Sequence, residues 1–222
     1  MNPATRQAGA NWGQWLLILM LSALAGCALP SPPAAPVVYD FGPGPLTDAA
    51  PGAAPSMPTL VLDVIEASTA LDSTALLYRL AYVDSQQLRP YALARWSMTP
   101  AQLLRQRLRL HLGQRRTLLN PGESMTAGAP WLLQLELEEF SQLFESTDRS
   151  SGLLRLRATL SQPGAKGGKW LAQRSLIVQR QALTADAAGG VRALTATVDA
   201  AAQELEQWLQ DMTPAASAPG PN

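Results

Sequence analysis

The sequence predicts an α+β domain: a largely antiparallel sheet of about six strands with two helices on one face, in the order strand-strand-strand-helix, repeated twice. Three observations predict it. Apolar residues alternate with period two in four separate segments, and two further segments read as strands beside them. The stretch from Thr99 to Gly113 carries helix punctuation at both ends. From Val191 to Met212, apolar residues recur at spacings of 3, 4, 3, 4, 3 and 4.

Each element has its own justification. Val37–Phe41 is a short aromatic island in proline-rich surroundings and reads as an edge strand, closed by Gly42-Pro-Gly-Pro45. Leu60, Leu62 and Val64 oppose Val61, Asp63 and Ile65, the pattern of a buried strand. Leu76, Tyr78, Leu80 and Tyr82 alternate with their neighbours to give the next, and Arg89 to Trp96 a third, with Pro90 near its start. A helix then opens at Thr99, with Pro100 at its first position and Gln102 placed to complete a capping box. Ala101, Leu104, Leu108 and Leu112 stripe one face before Gly113. From Trp131 to Glu145 the period is two, but apolar parity changes between Leu137 and Phe140, which calls for a bulge. Leu154 to Leu160 and Lys169 to Arg180 complete a meander around the turn Pro163–Gly168. The final seam of Val191, Leu194, Val198, Ala201, Leu205, Trp208 and Met212 fits a helix of about six turns. It packs either on the domain's own sheet or, as a coiled coil, on another protomer.

The chain divides into residues 1–26, 27–58, 59–212 and 213–222. Met1–Ala10 carries one charge, Arg6, and Trp15–Ala25 is apolar, long enough for a secretory signal and short of the roughly 20 residues that span a bilayer. Leu24-Ala25-Gly26-Cys27 matches a lipobox, and Cys27 is the only cysteine, so no internal disulfide forms. Cys27 is therefore read as a lipid-attachment site and not as a nucleophile. Multiple acyl chains, each gaining about 0.8 kcal/mol per buried methylene, make such an anchor permanent. Ala28 in place of an inner-membrane retention aspartate points to the outer membrane of a Gram-negative bacterium, facing the periplasm. Residues 27–58 hold nine prolines and form a tether containing the edge strand at 37–41; residues 213–222 form a disordered tail.

Composition excludes several classes. Without residues 1–26 the chain has 16 basic and 17 acidic side chains, too balanced for bulk binding of nucleic acid. His111, the only histidine, sits mid-helix among arginines, with no partner set for a triad or a zinc site. Ser124 lacks the second glycine of a nucleophile elbow. Gly164-Ala-Lys-Gly-Gly-Lys169 resembles a phosphate loop only faintly, since Trp170 follows it and it joins two strands. Glu136, Glu138 and Glu139 are strand acids on or near a solvent face. No catalytic residue, metal ligand or cofactor motif emerges.

Charge is segregated. Seven arginines and no acid lie between Ser85 and Gly122, then six acids and no base from Glu123 to Asp148. This predicts an arginine-rich helix face set against an acidic strand. The other reading is a cationic patch of Arg105, Arg107, Arg109, Arg115 and Arg116, available to a partner or to anionic headgroups.

Four segments carry a resemblance: Val38-Tyr-Asp-Phe41, Ala75-Leu-Leu-Tyr-Arg79, Tyr91-Ala-Leu-Ala-Arg-Trp96 and Thr99-Pro-Ala-Gln-Leu-Leu-Arg-Gln-Arg-Leu108. With the lipobox, the chain resembles the auxiliary lipoproteins of ABC-type transport systems, the MCE-associated group that includes the paraquat-inducible intermembrane-transport type. That resemblance implies an α+β domain, no catalysis, and docking to an MCE-domain protein and ABC transporter components during lipid movement between membranes. Assembly of several copies into a homo-oligomer is compatible with it. Only Cys27 carries over as a site; Arg79 and Trp96 are expected to serve folding. The insert Gly42–Pro58 departs from the family pattern. The alternative reading is an envelope assembly lipoprotein, an outer-membrane insertion accessory or a secretin pilot.

Overall fold

The computed structural model describes residues 34–44, 57–123, 130–164 and 168–213. The lipobox with Cys27, residues 45–56, Ser124 and the tail from residue 214 lie outside the described residues. The chain divides into two compact units, Met1–Ala35 and Pro36–Asn222. The second carries all the described strands and helices.

In chain order these are β1 (Val37–Tyr39), β2 (Leu60–Leu62), β3 (Glu66–Ala67), β4 (Ala75–Leu80), the short α1 (Ala81–Asp84), β5 (Ser85–Trp96), α2 (Pro100–Leu112), β6 (Leu118–Leu119), β7 (Trp131–Phe144), β8 (Ser150–Gln162), β9 (Lys169–Gln181) and α3 (Ala187–Asp211). All nine described strands join one sheet.

The expected sheet of about six antiparallel strands is corrected: the sheet is mixed. β7, β8, β9 and the pair β4–β5 are antiparallel, but β2, β3 and β4 all run parallel to β7, β6 to β2, and β1 to β5. Period two reports which face a side chain takes and is blind to strand direction. The chain between β4 and β7 includes α2, a crossover long enough to return a strand parallel. The edge strand expected at 37–41 forms as β1, three residues long and parallel to β5, and the extra strands β3 and β6 have two residues each, too short to show a period.

β7 is the spine. One side pairs with β8 along nearly its full length. The other pairs with β2 and β3 over its first half and with β4 over its last three residues. Trp131, Leu133, Leu135 and Leu137 point to the helices and are buried. The register against β8 then shifts between Leu137 and Glu139, so Phe140 opposes Leu154 and returns to the same face. This is the bulge that the parity change demanded.

The capping box forms as expected: the Thr99 N–H donates to Gln102 Oε1 at 3.2 Å. Leu104, Leu108 and Leu112 of α2 are buried in the common core. α3 lies over β7, β8 and β9, and Val191, Leu194, Val198, Ala201, Leu205 and Trp208 are all buried there. The seam is spent on the domain's own sheet, which leaves none for a coiled coil. α3 approaches β8 so closely that a Cβ on Gly152 would lie 2.6 Å from the Leu194 amide nitrogen, so only glycine fits.

Behind β5, Trp96 is 1% exposed. Its ring meets Phe41 edge-on at 5.4 Å and Phe140 at 5.7 Å, tying the chain after β1 to the spine. Trp96→Ala is expected to cost about 3–5 kcal/mol, read as a lower urea midpoint. At the start of α3, the Asp186 carboxylate accepts the Gly189 N–H at 2.6 Å and the Thr184 hydroxyl at 2.9 Å. These bonds, the Gly189 amide foremost, hold its pKa below the usual aspartate value. Such a group stabilises the fold above its unfolded pKa and loses that contribution as pH falls through the folded one. Asp186→Ala is therefore expected to cost about 1 kcal/mol at neutral pH. The gap from the native chain should shrink below about pH 4, as denaturation at a series of pH values will measure.

Candidate functional site

The cationic segment was the main candidate surface, and the fold turns most of it inward. Arg105 on α2 donates from Nε to the Asp63 carbonyl and from Nη2 to the Leu62 carbonyl, each at 3.2 Å, so it pins the helix to the end of β2. Its Nη2 also reaches Asn120 Oδ1, as does Arg109 Nη1 at 3.1 Å. Asn120 in turn donates to Glu123 twice at 2.8 Å, and its side-chain amide leads in holding that carboxyl below its ordinary pKa. Arg107 makes a two-pronged pair with Asp199 of α3, at 2.6 and 2.9 Å. That carboxylate raises the guanidinium above its ordinary pKa, against an opposing burial effect. Gly44, at φ +75°, packs directly on the Arg107 guanidinium in a place where no side chain would fit.

Arg116, between α2 and β6, goes deepest. Its side chain is 0% exposed and donates to Glu206 of α3 at 2.9 Å. Gln210 donates to the same Glu206 oxygen at 3.1 Å. Arg116 Nε and Nη1 and Glu206 Oε2 are buried with no protein partner. Arg115 alone of the five is exposed with no ion pair among the described residues.

The expected arginine face against an acidic strand does not form. The acids on β7 are met from other strands: Glu139 by Arg79 of β4 at 2.8 Å, and Glu136 and Glu138 by Arg157 of β8. Glu145, just past β7, is met by Arg149 at 2.8 Å. Arg79 also donates to the Ser85 and Gln86 carbonyls, clamping the α1 turn and the start of β5 to the spine. Sequence order gave no sign of the Arg79–Glu139, Arg107–Asp199 and Arg116–Glu206 pairings, which join residues 60 to 92 positions apart.

Two polar places remain. A cleft of about 200 Å³ opens on the sheet face away from the helices, lined by Asp63, Glu66, Gln134, Glu136, Arg157 and Thr159 among others. It arises where one extra residue between β2 and β3 lifts Val64 off β7. No histidine or cysteine lines it. On the helix side, the Tyr91 hydroxyl donates to Gln142 Oε1 at 2.8 Å, and Gln142 Nε2 donates to the Ser150 hydroxyl at 2.7 Å. Burial, with Tyr78 and Asp186 nearby, pushes the Tyr91 phenol well above its ordinary pKa, so it stays protonated and donates. His111 is half-buried on α2. Gln162 and Lys169 oppose each other across β8 and β9, so the glycine-lysine segment joins two strands and opens no helix. Among the described residues, no three of His, Cys, Asp and Glu cluster to hold a metal, and no helix is long and apolar enough to cross a membrane.

A family model described as "ABC-type transport auxiliary lipoprotein component" matches residues 39–206, from β1 to the last turns of α3. The chain belongs to that family. It is similar in fold to a crystal structure of a Xanthomonas campestris protein assigned to the DUF330 family model, at 16% identity and TM-score 0.62, covering 81% of this chain and 94% of that one. It is similar also to an uncharacterized protein, at 12% identity and TM-score 0.58, covering 79% and 99%. No curated protein matches it.

The buried pair makes a sharp prediction. Arg116→Met alone strands a carboxylate in the core and is expected to cost about 3–5 kcal/mol. Adding Glu206→Met should recover most of that loss, because removing both charges also removes their desolvation. Urea denaturation of the two single variants and the double variant measures it.

Proposed function

We propose that this chain is a non-enzymatic adaptor of an ABC-type system that moves lipids or other hydrophobic molecules between two membranes. Cys27 carries the acyl chains that hold it in the outer membrane, and the domain faces the periplasm, where it docks an MCE-domain protein. The family match across residues 39–206 is the observation that carries this reading. The chemistry of the domain supports it. Its buried or half-buried ionic side chains are engaged in holding elements together, and the open cleft offers carboxylates already neutralised in part by Arg157.

The anchor follows from the lipobox. Residues 28–36, if extended as polyproline at about 3.1 Å per residue, lift the domain roughly 28 Å from the lipid surface. Of the cationic segment, the exposed Arg115 is left to meet anionic headgroups. Assembly of several copies would set such adaptors around one conduit.

Solubilising membranes in mild detergent and purifying the full-length chain should recover a permease, an ATPase and an MCE-domain protein. Mass spectrometry should find the mature chain starting at an acylated Cys27. Cys27→Ala should move the chain out of the outer-membrane fraction and abolish the co-purification. Recovery of insertion or secretion machinery instead would select the envelope-assembly reading.

A further inference from the structure

The proposed adaptor role needs a docking surface, and β9 has the form of one. It is the longest edge strand among the described strands. One side pairs with β8 from Lys169 to Gln181, and no described strand pairs with the other. Thirteen residues at about 3.4 Å each leave roughly 40 Å of backbone donors and acceptors facing outward. The chain enters this unit at β1, on the opposite edge, with β5, β4, β7 and β8 between.

The two faces of β9 differ. On the helix side Leu176 and Val178 are buried, while Arg174 and Arg180 flank them and stay exposed. On the open side, after the register shift beside Leu160, Trp170 and Ile177 are 63% and 62% exposed. Lys169, Arg174 and Arg180 are the charges of this strand; it has no acid, and none of the three has an ion pair among the described residues. Arg149 and Arg157 of the same meander are neutralised. A second β9 brings the same three cations and no acid, so pairing with another copy gains no ionic contact.

We infer that the β9 edge takes an added strand from a periplasmic partner protein, and that this strand alternates acidic with apolar residues. Its acids would lie on the helix side against Arg174 and Arg180, and its apolar side chains on the open side against Trp170 and Ile177. Backbone pairing supplies the grip, and the two rows of side chains set register and partner choice. A strand with the reverse pattern would put its acids against Trp170 and Ile177 and forgo the ionic contacts. This inference rests on the adaptor reading and names the surface it uses.

The test is photo-crosslinking in intact envelopes. A photoreactive residue replaces Gln173 in the full-length chain, with Leu110 on α2 as the control position. The expected result is an adduct from Gln173, and none from Leu110, to a periplasmic protein segment that alternates acidic and apolar residues. Arg174→Glu with Arg180→Glu should lower the yield about tenfold, and Arg174→Lys with Arg180→Lys should keep it. Both arginines are exposed, so an unchanged urea midpoint will show that the reversed variant is folded. An adduct to a second copy, to lipid, or to a segment without the pattern overturns the inference, as does a yield indifferent to charge reversal. If transport components co-purify but Gln173 gives no adduct to protein, the edge is not the docking surface and the adaptor role stands. If Gln173 crosslinks to a patterned segment of a protein outside any transport system, the edge docks as inferred and the adaptor role falls.

Discussion

The fold depends on one register. β7 keeps Trp131, Leu133, Leu135, Leu137, Phe140 and Phe144 on its helix side only because a single extra residue, Glu138, is taken up as a bulge between Leu137 and Glu139. Without it, Phe140 and Phe144 would turn to the open side and leave their places under the helices empty. Phe140 then holds Trp96, and Trp96 holds Phe41, so the bulge reaches through three aromatic rings to the strand by which the chain enters the domain. On the other side of β7, the same continuity lets one strand serve as partner to β2, β3 and β4 in succession.

Charge has a structural use in this molecule. Arg79, Arg105, Arg107 and Arg116 each bridge elements that meet only in the folded state: β4 to β7, α2 to β2, α2 to α3, and the segment before β6 to α3. The Arg107–Asp199 pair, half-buried with its carboxylate open to solvent, contributes about 1 kcal/mol. The buried Arg116–Glu206 pair is a different object. Its net worth is small against an apolar replacement, but its cost when half-removed is large, so it penalises any packing that sets α3 out of register with the segment leaving α2.

Much was legible along the chain because its cause is local. Period two placed the core faces of β7 and β8, the Thr99–Gln102 pair set the start of α2, and the 3-4 seam identified the buried face of α3. Even the bulge was visible, since a strand cannot change parity without one. The family was legible for a related reason: short aromatic and arginine segments such as Ala75–Arg79 and Tyr91–Trp96 bear the side chains that lock β4 and β5 to the spine.

Tertiary structure decided the rest. Strand direction, the joining of β1, β3 and β6 into the sheet, and the partners of the arginines all depend on which distant segments meet, and alternation carries no such information. Arg105, Arg107 and Arg109 look from the sequence like a solvent-facing row. In the fold they find a β2 carbonyl, an α3 carboxylate and an asparagine amide, because α2 is wedged between those elements. Local periodicity fixed which faces are apolar. Only the three-dimensional packing fixed which charges were left over, among them the cations along β9.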